Sequence, residues 1–361
     1  MKKVISVLLS MGLIASMMVG CGQTQKETQA PETTAQTEAP ADETTADSET
    51  AADSETAADA AADDGEVYNI GICQLVQHPA LDEATRGFEE ALKELLGEDK
   101  VVFDEQNASG DSATCATIIN QFVSGETDLI LANATASLQA AAAGTDTIPI
   151  LGTSITDYAT SLEIDDWTGV TGKNISGTSD LAPLAEQAAM LNELFPDAKT
   201  VGLLYCSAEA NSAYQANTIQ AELEGMGYTC KQYTFADSND IASVTTTAAS
   251  ECEVLYVPTD NTAASNTEVI NNICVPAGIP VIAGEEGICS GCGVATLSIS
   301  YYDIGYKAGE MAYDILVNGA DIASMPVEFA PNVTKEYDAD RCAELGITVP
   351  DDYVAIEKTE E

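Results

Sequence analysis

From residue 67 onward the sequence predicts an α/β protein made of two doubly wound parallel-sheet lobes joined by a multi-strand hinge. Three observations predict it. Short apolar runs alternate with stretches of helical period; Gly, Asp or Pro punctuates the joins; and the alternation lapses in a loop around Trp167 before starting afresh. Strands alternating with helices mark βαβ units, and hence parallel sheets covered on both faces. A second, separate run of the same kind marks a second lobe.

The first lobe opens with a buried strand at 67–75 and an amphipathic helix at 81–96, whose Phe88, Leu92 and Leu95 share one side. Strands at 101–104, 129–132 and 148–151 then alternate with helices at 113–123 and 136–143. The second lobe reads as helix 181–194, strand 201–205, helix 214–226, strand 228–235, helix 241–249, strand 254–257, helix 264–275 and strand 280–283. A strand at 294–299 leads into helix 304–316, and 327–329 begins a tail that ends in helix 339–345. The expected division is therefore 67–173 for lobe 1, 174–290 for lobe 2, 291–325 for a return segment in lobe 1, and 326–361 for a C-terminal crossing segment and helix. Gly177-Thr-Ser-Asp180 reads as a turn that opens a helix near the first crossing, suited to a hinge or a cap.

Ahead of this lies an export signal. Lys2 and Lys3 precede an apolar run from 4 to 19 that ends in Met-Val-Gly-Cys, so residues 1–20 read as a lipoprotein signal peptide and Cys21 as the lipidated residue. Two acyl chains on that thiol, at ~0.8 kcal/mol per buried methylene, make a durable anchor. Residues 21–66 are Thr, Ala, Glu, Asp, Gln, Ser and Pro almost throughout, which no core can use; they read as an acidic, disordered, extended tether. About 295 residues remain, enough for two lobes of ordinary size.

The chain has 13 Lys plus Arg against 59 Asp plus Glu, a formal net charge of −46. Such a surface excludes nucleic acid as a partner and is repelled by anionic lipid, so membrane residence falls to the lipid on Cys21. Of ten cysteines, nine remain after Cys21. That odd number, and the apolar settings of Cys73, Cys206 and Cys274, point to mostly reduced thiols packed as small hydrophobes. Cys289-Ser-Gly-Cys292 has redox spacing but reads as part of a loop. No metal constellation or catalytic triad is visible, and the first strand's Gly71-Ile-Cys-Gln lacks the Gly-x-Gly-x-x-Gly turn of a dinucleotide-binding enzyme. No cofactor, metal or catalysis is expected.

In two open sheets joined at a hinge, ligand groups gather at the carboxyl ends of strands. The loops there hold Gln77-His78, Thr135, Asp157-Tyr158, Glu209 to Ser212, Asp260-Asn261 and Glu285. The segments 70–82, 177–180 followed by Pro183 and Gln187, 209–212, 258–261, 278–283 and 301–306 resemble the ABC-transporter solute-binding lipoproteins of the tryptophan/tyrosine-type family. The likeness runs nearly from Ile70 to Pro350; Tyr158 stands where the family pattern leads one to expect Pro. The resemblance implies a type I periplasmic binding fold on the outer face of the cytoplasmic membrane or in the periplasm. It also implies capture of a small solute, an aromatic or other hydrophobic amino acid foremost, for delivery to an ABC permease. A nucleoside, sugar or peptide-like signal, bound by a receptor subunit, is the alternative.

For an amino-acid ligand, Asp260 is the expected partner of the ammonium, unless it caps the helix that follows. Thr135, Asn211 and Ser212 stand before helices whose N-termini suit a carboxylate, and each is equally suited to plain capping. His78, the one histidine, lies beside Gln77, placed to bond or stack on ligand or to shape a turn. Glu209, Asn261, Asp157 and Glu285 add polar recognition. Tyr158, Trp167 and Tyr214 are candidates for an aromatic wall, or for lobe packing.

Overall fold

The computed structural model describes residues 65–357, so the leader, Cys21 and most of the tether lie outside the described residues. Lobe 1 is built from β1 (Tyr68–Gln74), α1 (Pro79–Leu96), β2 (Val101–Asn107), α2 (Ser112–Ser124), β3 (Leu129–Asn133), α3 (Thr135–Gly144), β4 (Ile150–Ile155), α4 (Tyr158–Ser161) and β5 (Ile175–Ser179). Lobe 2 takes α5 (Leu184–Leu194), β6 (Thr200–Cys206), α6 (Ala210–Gly225), β7 (Thr229–Phe235), α7 (Ile241–Glu251) and β8 (Val254–Val257). It continues with α8 (Asn261–Ala264), α9 (Thr267–Ala277), β9 (Val281–Ala283), α10 (Glu286–Cys292) and β10 (Ala295–Ser298). The chain returns to lobe 1 in α11 (Tyr301–Leu316) and β11 (Glu328–Phe329), then crosses again to lobe 2 in β12 (Thr334–Tyr337), α12 (Ala339–Leu345) and β13 (Val354–Ala355).

One sheet has the order β11-β5-β4-β3-β1-β2 and the other β13-β12-β10-β9-β8-β6-β7. Pairing is parallel except between β10 and β12. Burial on both faces explains why the strands read as apolar runs rather than as alternating ones. In β1, Ile70 and Ile72 enter the core under α1 and α11, while Cys73 enters the opposite core under α2 and α3. Lobe 2 has the same two-sided plan.

The boundaries fall later than the sequence suggested. β5 belongs to the lobe 1 sheet and β10 to the lobe 2 sheet, so the crossings come after residues 179, 298 and 329 and not at 173, 290 and 325. Ile-Ser-Gly-Thr-Ser carries too little apolar signal to read as a strand, yet it pairs with β4 and β11. The Cys289 to Cys292 segment is the second half of α10, not a loop. The helix expected over 264–275 divides into α8 and α9, because Asn266 breaks the regular backbone between them. β12 and β13 were not expected at all.

Two features hold the crossings in place. α11 packs along α1 so closely that a Cβ on Gly305 would stand 2.0 Å from the Ala84 carbonyl oxygen. At the first crossing, buried Asp180 accepts hydrogen bonds from the Thr156 hydroxyl at 2.9 Å and from the Tyr301 hydroxyl at 3.0 Å, joining the first crossing to the second. The hinge role expected for Gly177 to Asp180 thus falls on Asp180, and Gly177 serves the sheet. Its φ of 138° is open to glycine, and a Cβ there would meet the Gly152 carbonyl oxygen at 2.0 Å. Gly177→Ala is therefore expected to cost about 2–4 kcal/mol through backbone strain and overpacking. Urea denaturation of the purified chain measures it as a lower midpoint at unchanged slope, and an unaltered midpoint would contradict this account of β5.

Candidate ligand-binding cleft

The carboxyl ends of both sheets face each other across a cleft. At one side of it lies a cavity of about 340 Å³, lined from lobe 1 by residues that include Leu75, Ser109, Thr135 and Gln139, and from lobe 2 by Glu209, Asn211, Asp237, Asn261 and Asn266 among others. Its size sits near the small end of the roughly 300–1,000 Å³ common for small-molecule sites. Ten-residue α3 and sixteen-residue α6 both begin at this cavity, and neither has a side-chain cap. Their first-turn amides are thus the ones a bound anion could satisfy.

Lobe 1 supplies an unusual set of atoms at the same level. Among the described residues, its buried side-chain polar atoms without a hydrogen-bond partner are His78 Nδ1, Asn133 Oδ1, Thr135 Oγ1 and Ser154 Oγ. All four stand at the carboxyl ends of β1, β3 and β4. Two of these ends are also strained: Ala134 has φ 88° and Ser154 φ 57°, where β4 bulges. Unpaired buried polar groups cost about 1–3 kcal/mol each, and strain of this kind clusters at functional sites. The unpaired atoms are confined to this end of the lobe, whereas positive φ at non-glycine residues also occurs at Ser109, Glu126 and Glu163.

Lobe 2 answers with carboxylates. Glu209 accepts from the Asn261 main-chain N–H at 3.0 Å and its Nδ2 at 2.7 Å with one oxygen. With the other oxygen it accepts from the Thr262 N–H at 2.8 Å and hydroxyl at 2.7 Å. The first turn of α8 is held in this way against the start of α6. Across the cleft, His78 Nε2 lies 3.2 Å from Asn261 Oδ1. α4 of lobe 1 also packs on α6 of lobe 2, so the lobes are closed on each other.

Of the residues expected to form the site, Thr135, Glu209, Asn211 and Asn261 line the cavity, and His78 bridges the lobes at Asn261. Others lie behind it. Asp260 is 1% exposed and accepts from the Cys206 N–H at 2.6 Å and the Ala263 N–H at 2.7 Å, with Ser212 also bonded to it. The capping alternative is realised through Oδ1, and Oδ2 is taken by the Cys206 amide at the end of β6. Glu285 is likewise a buried N-cap, accepting from the Gly287 and Ile288 amides at 2.6 Å each. Asp157 caps α4 through the Thr160 N–H at 2.7 Å, while Gln77 is exposed; neither lines the cavity. Tyr158 donates to the Thr178 carbonyl at 3.1 Å and stacks on Trp167 at 6.4 Å between centroids, inside the core of lobe 1. Those two rings belong to lobe packing, and Tyr214 is half-buried on α6 near Asp157, away from the cavity lining.

The profile of the ABC transporter substrate binding protein family matches residues 69–359. This chain belongs to that family. Among its relatives is a tyrosine-binding protein of Clostridioides difficile, 33% identical over 333 residues that cover 90% of this chain and 87% of the relative. A Streptococcus pneumonia ABC domain solved in complex with L-Trp is 31% identical, with TM-score 0.76 over 79% of this chain and 97% of that one. The ligand-free, open structure of a Clostridium difficile substrate-binding protein with adhesive properties is 34% identical, with TM-score 0.63 over 81% and 100%. This substrate-binding protein therefore superposes better on the ligand complex than on the open form, despite slightly lower identity to the former. Its closed lobes account for the order. The fold is the type I periplasmic binding fold of these neighbours.

Burial pushes Asp260 up to about 8, with the charge of Glu209 adding and the two amides and Ser212 opposing. Burial likewise raises Glu285 to about 7 and Asp180 to about 6. A carboxyl whose folded-state pKa exceeds its unfolded value keeps its proton better when folded, so stability is full below the unfolded value and is lost as pH rises through the folded one. The purified chain is expected to lose stability steadily from about pH 5 to about pH 8.5 and to level off beyond it. Urea midpoints across that range test this; a midpoint that climbs with pH contradicts the protonated state of these buried acids.

Proposed function

We propose that this substrate-binding protein captures an aromatic amino acid in the cavity between its lobes and hands it to an ABC permease from a lipid anchor on Cys21. The observation that carries the proposal is the pairing of unlike walls. On one side stands the uncapped N-terminus of α3 with the buried, unpartnered Thr135 hydroxyl; on the other stands the carboxylate of Glu209, held by Asn261 and Thr262. The solute's carboxylate takes the α3 amides and Thr135, aided by Asn211 at the start of α6. Its ammonium takes Glu209 by charge-assisted hydrogen bonds. An α-amino acid brings an anion and a cation to the two walls at once; a sugar or nucleoside brings only neutral polar groups. Tyrosine and tryptophan, the ligands named for the relatives, give the side-chain class.

Glu209, and not Asp260, is the ammonium partner in this reading, because Asp260 is enclosed at 1% exposure whereas Glu209 is half-buried and lines the cavity. Closure brings Glu209 and Thr135 to opposite sides of one cavity, so binding energy is spent on the closed form, the form a permease distinguishes. Capture and release of the solute ask no side chain to take or give a proton.

Calorimetric titration of the ligand-stripped chain with tryptophan, tyrosine and phenylalanine tests the solute. Glu209→Gln is expected to weaken the best of them on the order of 100-fold and Thr135→Val on the order of 10-fold. Silence from all three amino acids would remove the ligand assignment. For the anchor, Cys21→Ala is expected to shift the chain from the membrane fraction to the aqueous fraction of a cell extract; retention in the membrane would refute it.

A further inference from the structure

The chain has a single histidine, and its protonation pattern is dictated by a neighbour two bonds away. Glu209 is an acceptor, so the Asn261 atom at 2.7 Å from it must be the amide Nδ2 donating. That fixes the side-chain orientation of Asn261 and turns Oδ1, which can only accept, toward His78. Nε2 at 3.2 Å must then carry the hydrogen. The imidazole is neutral, because burial lowers its pKa against the opposing pull of the Asn261 bond and of Glu209 and Asp82. A neutral ring protonated at Nε2 leaves Nδ1 as a bare lone pair. Nδ1 has no partner in the protein, and His78 is 7% exposed.

We infer that His78 Nδ1 is a specificity-determining acceptor for an N–H or O–H on the solute's aromatic ring. The inference rests on the proposed capture of an aromatic amino acid and names the feature of the ring that is read. A zwitterion's ammonium is better served by a carboxylate, and Glu209 lines the cavity; the neutral acceptor beyond the end of β1 is left for a neutral donor. An indole N–H or a phenol O–H is such a donor. A phenyl ring offers none, and binding it leaves Nδ1 buried and unpaired. A site built around a buried polar group rejects the analogue that lacks the matching one.

Two isosteric pairs test this without adding bulk: tryptophan against 3-benzothienylalanine, in which sulfur replaces the ring N–H, and tyrosine against phenylalanine. Calorimetry of the purified, ligand-stripped chain is expected to show the donor-bearing member of at least one pair bound on the order of 10- to 100-fold more tightly. In His78→Leu that ratio is expected to fall to near one, whereas His78→Gln, which can place an amide oxygen in the same region, restores part of it. Because the chain has one histidine, the imidazole nitrogen-15 spectrum needs no variant: Nε2–H with bare Nδ1 in the free protein, and an Nδ1 resonance that shifts as it accepts a hydrogen bond from the preferred solute. Equal binding within both pairs overturns this inference and leaves the aromatic assignment standing. So does discrimination that survives in His78→Leu, or an Nδ1 resonance that stays fixed at saturation. Silence from all four solutes overturns the aromatic assignment and this inference with it.

Discussion

The inner strands β1, β3 and β4 of one sheet and β6, β8, β9 and β10 of the other are buried almost throughout, so the place where polar side chains can reach a solute is where those strands end and helices begin. Helices begin there with unpaired amides, and those amides must be satisfied by something. Lobe 2 uses its own carboxylates: Asp260 for α8, Glu285 for α10, and Glu209 for α8 once more from the start of α6. Lobe 1 leaves α1 and α3 without side-chain caps and keeps four buried polar atoms unpaired at the same level. At the cavity itself the starts of α3 in lobe 1 and α6 in lobe 2 are both uncapped, and the Glu209 carboxyl stands beside the second.

The same constraint explains what could be read in advance. Doubly buried strands made long apolar runs, so the alternation and the two lobes were legible. β5 was not, since its Ser, Gly and Thr owe their place in the sheet to a glycine conformation and to close contact with β4, neither of which leaves a pattern in the chain. α10 was hidden for a related reason: Gly, Ser and Cys form it because Glu285 caps it and its cysteines pack inward.

At the site, position was legible and duty was not. A Ser, Thr, Asp or Glu before a helix looks alike whether it caps that helix or waits for a ligand; only the hydrogen-bond count separates Asp260 and Glu285, which are committed, from Thr135, which is not. Asn133 and Ser154 escaped notice because each ends an apolar strand and shows its unpaired atom only in the folded lobe. Tyr158 and Trp167 fitted a pocket wall or lobe packing equally from the chain alone, and their stacking on each other decides for packing.

The nine cysteines of the described region are all free thiols, and only Cys230 among them is even partly exposed. Proteins outside the cytoplasm commonly meet oxidants, and the described residues of this one carry no crosslink. Shielding comes from packing alone, so it exists only once each lobe has closed around its own core. Each sulfur is protected only for as long as its core stays packed, so the redox state of the thiols is tied to the integrity of the lobes.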